Sequence, residues 1–266
     1  MNFILQSVND NITIDQCFQM LQSIEYYKWK NDPILKVTVD MNELENVGSH
    51  IKFLNELGKD FECSEFIPSE WCPVGTVEFV EKYLRIYFGD EIANNAMKPL
   101  NIPEELFELS GRDLILNEQV SESLMHKYPD MYFIKDNDRI KNKFNGLMYV
   151  SDAIEHGMKN IQIQSIVDNI GSEWRVFIHN GVPCDIKNYS GDPFLFPDVK
   201  YINKCVDEIS YMLKEGTIDV YVDEMTNKTY VVEAHKFLSC GLYGFSDINV
   251  LPIMFWRTFK SLINKK

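Results

Sequence analysis

The sequence predicts a mixed α/β protein. In the first 90 residues, strand-like runs alternate with amphipathic helical patterns, which favours a parallel sheet. From about residue 130 onward, runs rich in Val, Ile, Tyr and Thr are separated by short polar turns, which is typical of antiparallel hairpins. The 266 residues are 45% hydrophobic and 25% charged, as in a globular chain that can bury a large core.

Charge and cysteine usage limit the partners and the compartment. A net charge of -14 opposes binding to nucleic-acid phosphates or to an anionic membrane. The sequence contains no apolar run near 18 residues and no charged-then-apolar leader at Met1, so it predicts neither a membrane span nor a secretory signal. Six cysteines without a C-x-x-C pair indicate reduced thiols. We therefore expect a cytoplasmic protein with no nucleic-acid and no membrane partner, and the oligomeric state stays open.

The first 90 residues contain the alternating pattern. Thr13, followed three positions later by Gln16, predicts a capping box at the start of a helix. The predicted elements are, in order, a strand at 2–6, a helix from Thr13, a strand at 34–39, a helix around 50–57 that ends at Gly58, and a helix opened by residues 73–76.

Residues 91–160 are richer in loops and charge. A connector at 99–111 with a short helix at 104–109 precedes a strand at 131–136, a basic loop at 137–143, a strand at 146–150 and a helix capped by Ser151. Lys135 ends a strand before this loop, where an ammonium group could neutralise phosphate oxygens while contributing little to stability. The alternative is a solvated loop without a ligand.

A strand at 161–167 comes next, followed by a hairpin around Asn180-Gly181, the strongest short-range hairpin signal. Arg175 lies in its first strand, and its planar fork can bind two oxygens at once. A two-residue Asn-Gly loop would place Lys187 on the opposite face from Arg175. Either a bulge corrects the register, or only one of the two residues faces a site.

A second hairpin, at 217–235, follows an amphipathic helix at 200–214 and carries the clearest candidate site. Side chains alternate faces along a strand, so Glu233 and His235 share one face. A three-residue loop would place Asp219 opposite Glu233, and a two-residue loop would separate them. Two close carboxylates need a cation between them, which predicts a magnesium site. The alternative is a set of ordinary polar positions on the solvated face of a sheet.

These motifs, in this order, resemble those of the ATP-grasp superfamily, and in particular small ATP-grasp domain proteins of bacteria and phages. The resemblance rests on the order of Lys135, Arg175, Asp219 and Glu233, with His235 where the family usually has Asn. It extends over nearly the whole chain through Pro-Val-Gly-Thr-Val-Glu-Phe at 73–79, Glu-Trp-Arg-Val-Phe at 173–177 and Ser-Cys-Gly-Leu-Tyr-Gly at 239–244.

The resemblance implies an ATP-grasp fold, in which two α+β lobes clasp ATP and a small α/β domain precedes them. The implied domains are the N-terminal domain at 1–90, the small ATP-binding lobe at 91–160 and the large lobe with the metal hairpin at 161–266. A final helix at 250–263 belongs to the large lobe.

The implied activity is ATP-dependent ligation of a carboxylate to an amine through an acyl phosphate, with Mg²⁺ and alternatively Mn²⁺. The small-molecule or peptide substrates stay unnamed. Asp219, Glu233 and His235 are the implied metal ligands, and His235 is also a candidate general base. The residues implied to contact the nucleotide are Lys98, Lys135, Ser165, Ile166, Val167, Arg175 and Lys187, of which Arg175 and Lys187 are also implied to be catalytic.

Two other functions remain open on the same fold. One is a nucleotide-binding module without ligase turnover, which the replacement of Asn by His235 makes conceivable. The other is an ATP-dependent phosphotransferase, which would accumulate a phosphorylated product. Assays of ATP hydrolysis and of ligation products distinguish the three.

Overall fold

The computed structural model describes residues 1–32, 34–57, 65–238 and 240–264, with no side-chain description for 53–57. Two compact units divide the chain. The first unit consists of Met1–Ala96 with Phe237–Lys266, and the second of Met97–Lys236. This grouping differs from the predicted segments 1–90, 91–160 and 161–266, because the C-terminal residues return to pack with the N-terminal ones.

The first unit contains a parallel sheet of three strands in the order β2-β1-β3. The sheet confirms the predicted parallel arrangement, although β3 was not predicted as a strand. Helices lie between the strands, so that Phe3, Ile4 and Leu5 of β1 are completely buried. The elements are β1 (Asn2–Ser7), α1 (Asp15–Trp29), β2 (Leu35–Asp40), α2 (Val47–Leu57), β3 (Trp71–Val74), α3 (Val77–Phe88), α4 (Asp90–Ala96) and α8 (Leu251–Ile263).

Helix ends in this unit show where local signals decide and where they do not. The Thr76 hydroxyl accepts a hydrogen bond from Phe79 N at 3.3 Å, so α3 begins after a capped residue as predicted. The predicted capping box of Thr13 and Gln16 is wrong, because α1 is preceded by Ile14 and the Gln16 amide donates to Cys240 O instead. The predicted helix end at Gly58 lies outside the described residues.

The second unit contains two antiparallel sheets of four strands. The first sheet has the order β4-β7-β5-β6, and the predicted cap at Ser151 is wrong because α6 already begins at Val150, after Tyr149. Its strand β4 and helix α5 were not predicted. The elements are β4 (Ile115–Gln119), α5 (Glu122–Lys127), β5 (Tyr132–Asp136), β6 (Gly146–Met148), α6 (Val150–Glu155) and β7 (Asn160–Gln164).

The second sheet has the order β11-β10-β8-β9 and carries the residues of the candidate site. One of its faces packs on helix α7, where Val206 and Ile209 join the buried core formed by Val220 and Ala234. The helix ends at Ile209, five residues earlier than predicted. The elements are β8 (Ile170–His179), β9 (Val182–Gly191), α7 (Val199–Ile209), β10 (Gly216–Asp223) and β11 (Thr229–Lys236).

Two further findings concern composition. Within the described ranges, no helix has both the length and the apolar character needed to cross a bilayer. The five cysteines in those ranges carry thiols rather than disulfides, and Cys63 lies outside them.

Candidate active site

A β-bulge in the hairpin of β10 and β11 brings the two acidic residues together. The loop holds four residues rather than the predicted three, and a hydrogen bond from Asp223 N to Lys228 O closes it at 2.9 Å. An even loop alone would separate Asp219 from Glu233. The register shifts at Val232, however, so Asp219 lies directly opposite Glu233 on the face predicted for a three-residue loop.

Tyr201 of α7 satisfies a backbone group beside this bulge. Its hydroxyl accepts a hydrogen bond from Val231 N at 3.0 Å and donates to Leu109 O. Because β11 is an edge strand, Val231 N has no strand partner on that side. The helix therefore supports the irregular register on which the acidic pair depends.

Three possible metal ligands lie on the open face of this hairpin. Each of Asp219, Glu233 and His235 offers one atom, and these atoms lie within 4.8 Å of one another. His235 Nε2 is 2.9 Å from Glu233 Oε1 and 3.8 Å from Asp219 Oδ2. The Nε2 atom is buried, and none of its neighbours among the described residues has the geometry of a hydrogen-bond partner, so a cation at this position would satisfy it.

Arg175 faces the same cluster from β8. Its Nε and Nη2 atoms donate to the two oxygens of Asp219 at 2.8 and 2.7 Å, and both side chains are buried. Such a bidentate pair fixes the guanidinium plane and the carboxylate together. The register explains the contact, because Arg175 and Asp219 are direct partners across β8 and β10.

Lys135 reaches the cluster from β5 of the other sheet of this unit. Its ammonium group contacts Glu233 Oε2, and the side chain is buried, so it is a buried paired lysine rather than a solvated loop residue. Burial alone would raise the pKa of Glu233. The charges of His235 and Lys135 outweigh that effect and hold the pKa of Glu233 well below its ordinary value of 4.5.

Lys187 shares the face of Arg175. As expected, the Asn180-Gly181 turn pairs His179 with Val182. The register then shifts between Phe177 and Ile178, so Lys187 becomes the direct partner of Arg175. The shift realises the bulge alternative. The Lys187 ammonium lies 3.2 Å from Asp185 Oδ1.

Tyr189 adds a neutral hydroxyl beside these charges. Its ring lies under the Arg175 guanidinium, 5.9 Å from centroid to Cζ. Burial raises the pKa of the Tyr189 phenol, and the nearby carboxylates of Asp219 and Glu173 raise it further. The phenol therefore keeps its proton at neutral pH and donates to Glu173 Oε1 at 3.3 Å.

Lys98 occupies a different place from the other predicted cations. The residue is exposed, and its backbone carbonyl accepts a hydrogen bond from Lys236 Nζ at 3.0 Å. Its contact therefore involves the backbone rather than the ammonium group. No contact between the Lys98 ammonium and Lys135 or Glu233 is found in the described part of the chain.

The predicted adenine segment connects the two sheets of the second unit. Ser165 N donates to Leu114 O at 2.8 Å, and Ser165 O accepts from Arg112 Nη1 at 2.7 Å, so the Ser165 backbone is already satisfied. Ile166 and Val167 lie in the open stretch between β7 and β8, where their backbone groups bond to no other described residue. Of the three predicted residues, these two keep backbone groups available for a base.

Arg112 was missed by the sequence reasoning, which placed it just after a connector. Burial lowers the pKa of its guanidinium, and its Nε is buried without a hydrogen-bond partner in the described ranges. Gly111 precedes it at φ +65, where an added Cβ would lie 2.3 Å from the Tyr230 ring. A Gly-Arg pair before a strand is the signal that could have identified it.

Comparisons with known proteins agree with this arrangement. The model of an ATP-grasp domain family, the second family of its clade, matches residues 111–253, which is more than half of the chain. No curated protein matches significantly.

Similar solved structures concern the whole chain. N5-carboxyaminoimidazole synthetase from Staphylococcus aureus has a TM-score of 0.53 at 12% identity, covering 96% of this chain and 77% of its own. A RimK domain ATP-grasp protein from Sphaerobacter thermophilus has a TM-score of 0.48 at 13% identity, covering 99% of both chains. At such low identity the first similarity concerns the fold alone, and the second carries no argument.

Proposed function

Because this chain belongs to an ATP-grasp domain family, we propose that it is an ATP-dependent ligase that joins a carboxylate to an amine. One observation carries the proposal. Two carboxylates, an imidazole nitrogen without a hydrogen-bond partner in the described ranges and two buried cations meet on one face of the second unit. A metal-bound nucleoside triphosphate presents the complementary charges, since its metal needs anionic ligands and its phosphates need cations.

The ligand set suits a divalent cation. Asp219 and Glu233 would supply hard oxygens, and His235 would supply Nε2. Magnesium prefers oxygen ligands, whereas an imidazole nitrogen also suits manganese. When bound, such an ion would neutralise phosphate charge and help to orient the nucleotide.

The cations would bind phosphate by exchanging partners. The Lys135 ammonium now contacts Glu233, so a metal that takes Glu233 would leave the ammonium to a phosphate oxygen. Arg175 would steady the transferring phosphoryl group or the acyl phosphate, and Lys187 beside it would add a second cation. These roles belong to side chains that the register places on one face.

The base of the nucleotide would lie along the connection between the sheets. The backbone groups of Ile166 and Val167 can form hydrogen bonds to adenine, while Ser165 would fix the segment through Arg112. Arg112 would bring an additional cation close to the nucleotide. Lys98 would contribute only through a change in the position of its side chain.

The proposed reaction has two steps. An oxygen of the substrate carboxylate attacks the γ-phosphorus, the bond to the β-γ bridging oxygen breaks, and ADP leaves with that electron pair. The amine nitrogen then attacks the acyl carbon, inorganic phosphate leaves, and the nitrogen loses a proton. His235 would accept that proton, since imidazole titrates near neutral pH.

A second candidate is a nucleotide-binding module without ligase turnover. Arg175 engages both oxygens of Asp219, and that observation favours it, because a metal would have to compete with a buried bidentate pair. A phosphotransferase is the other alternative, and its product would carry the phosphoryl group.

The test combines calorimetry with product analysis. Wild-type protein is titrated with Mg-ATP, and Asp219→Ala and Glu233→Ala should each weaken binding by about 10- to 100-fold, the value of one charged contact. Glu208→Ala, an exposed carboxylate on α7, is the matched control and should leave affinity unchanged. Equal affinity in all three variants would refute the metal assignment. Incubation with ATP and pooled acids and amines then separates amide plus ADP, a phosphorylated product, and unchanged ATP.

A further inference from the structure

Asn101 lies outside every strand but touches both sheets of the second unit. The residue belongs to the predicted connector and is buried, with 4% of its surface exposed. Its backbone has φ +48, in the left-handed region that Asn tolerates better than most residues. The predicted site did not include it.

Three hydrogen bonds join Asn101 to the two strands that carry the site. Its carbonyl oxygen accepts from Ala234 N of β11 at 2.6 Å. Its side-chain Nδ2 donates to Asp136 O at the end of β5 at 3.0 Å and to Asn137 Oδ1 at 2.7 Å. One buried residue therefore connects an edge strand of one sheet to an inner strand of the other.

The next residue strengthens this connection. The side-chain amide of Gln162 in β7 donates to Ile102 O at 2.8 Å and accepts from Ile102 N at 3.1 Å. Gln162 is also the direct partner of Lys135 across β5 and β7. Residues 101 and 102 are therefore held to the first sheet by two independent side-chain amides.

The bonded positions are adjacent to the site residues. Asp136 directly follows Lys135, and Ala234 lies between Glu233 and His235. The contact of Lys135 with Glu233 spans the same two strands. Asn101 therefore fixes the distance over which this ammonium and this carboxylate can share a ligand.

We propose that Asn101 is a positioning residue that holds the phosphate-binding lysine in register with the metal ligands. This inference rests on the proposed function for its ligand, Mg-ATP. Asparagine is suited to the position because it combines tolerance of positive φ with an amide donor. Glycine supplies only the backbone conformation, and aspartate lacks the donor.

The experiment compares Asn101→Gly with a matched asparagine elsewhere. Asn31→Gly is the control, because Asn31 also has positive φ (+60) but is exposed in the first unit. Both proteins are titrated with Mg-ATP, and their amide hydrogen exchange is followed over residues 132–137 and 229–236. Asn101→Asp is the second variant, should Asn101→Gly not fold.

Asn101→Gly is expected to bind Mg-ATP about tenfold more weakly, the equivalent of one lost hydrogen bond or two. Exchange should accelerate in both segments together, while Asn31→Gly changes neither reading. A lower melting temperature with unchanged affinity and unchanged exchange in folded protein would overturn the assignment.

Failure of the proposed function is recognised separately. If wild-type protein does not bind Mg-ATP, that function is refuted, and hydrogen exchange alone then decides the role of Asn101. Joint loss of protection in the two segments supports it as the residue that holds the strands together. Unchanged protection in Asn101→Gly and Asn101→Asp rejects it.

Discussion

Removal of the Lys135 charge offers the most direct test of how the site is balanced. Lys135→Met keeps most of the apolar stem and deletes the ammonium group that contacts Glu233. The Lys135 side chain is 8% exposed and that of Glu233 24%. The sequence predicts little stability from a strand-end lysine, but this burial predicts a measurable loss.

The expected magnitude follows from burial and from the partner that remains. Deleting one member of a buried ion pair costs about 3–5 kcal/mol in free energy of unfolding. Glu233 keeps His235 at 2.9 Å and retains some solvent contact. We therefore expect a loss of about 1–2 kcal/mol, less than for a fully buried pair. For a chain of this size the melting temperature should fall by about 2–8 °C.

The assay is a double-mutant cycle by urea unfolding. Lys135→Met, Glu233→Gln and the double variant are measured with Lys204→Met, an exposed lysine on α7, as the control. The control should change the free energy of unfolding by less than about 0.5 kcal/mol. The two site substitutions should couple by about 1 kcal/mol, because each removes the same interaction.

Acid provides an independent check. The pKa of Glu233 is held below its ordinary value of 4.5, so its pairing stabilises the protein fully above that pH and less as the pH falls below it. Lys135→Met should bring the pKa of Glu233 closer to 4.5. The stability difference between wild type and variant should therefore shrink as the pH falls below about 4.5.

Two results would refute this reasoning. Coupling near zero at pH 7 would mean that Lys135 and Glu233 do not interact in solution. A stability difference that stays constant down to strongly acidic pH would mean that the loss came from packing of the lysine stem rather than from charge. In both cases Lys135 should still be tested by calorimetry with Mg-ATP, where its loss is expected to weaken binding.

Two further predictions concern the metal hairpin. His235→Asn should preserve or raise affinity for Mg-ATP and narrow any preference for Mn-ATP in calorimetry, because an amide oxygen suits magnesium better than imidazole does; loss of all turnover with binding intact would instead indicate an acid/base role. Tyr201→Phe removes the hydroxyl that accepts from Val231 N, and should lower stability by about 1 kcal/mol in urea unfolding and speed amide exchange over residues 229–236; unchanged exchange would show that the bulge needs no support from α7.

Local sequence signals determined much of this protein. Alternation of residue types was enough to predict β5, β8, β9, β10 and β11, because a strand repeats every two residues whatever surrounds it. The order of Lys135, Arg175, Asp219 and Glu233 was enough to indicate the fold family. Each of these signals can be read along the chain without knowledge of distant contacts.

Only the tertiary structure decided the register and the pairing. Two bulges, near Val232 and Cys184, bring Glu233 opposite Asp219 and Lys187 opposite Arg175, and a single extra residue in a strand leaves no mark in composition. The contact between Lys135 and Glu233 joins residues 98 positions apart. Asn101 and Arg112 were invisible for the same reason, since their importance lies in what the folded chain places beside them.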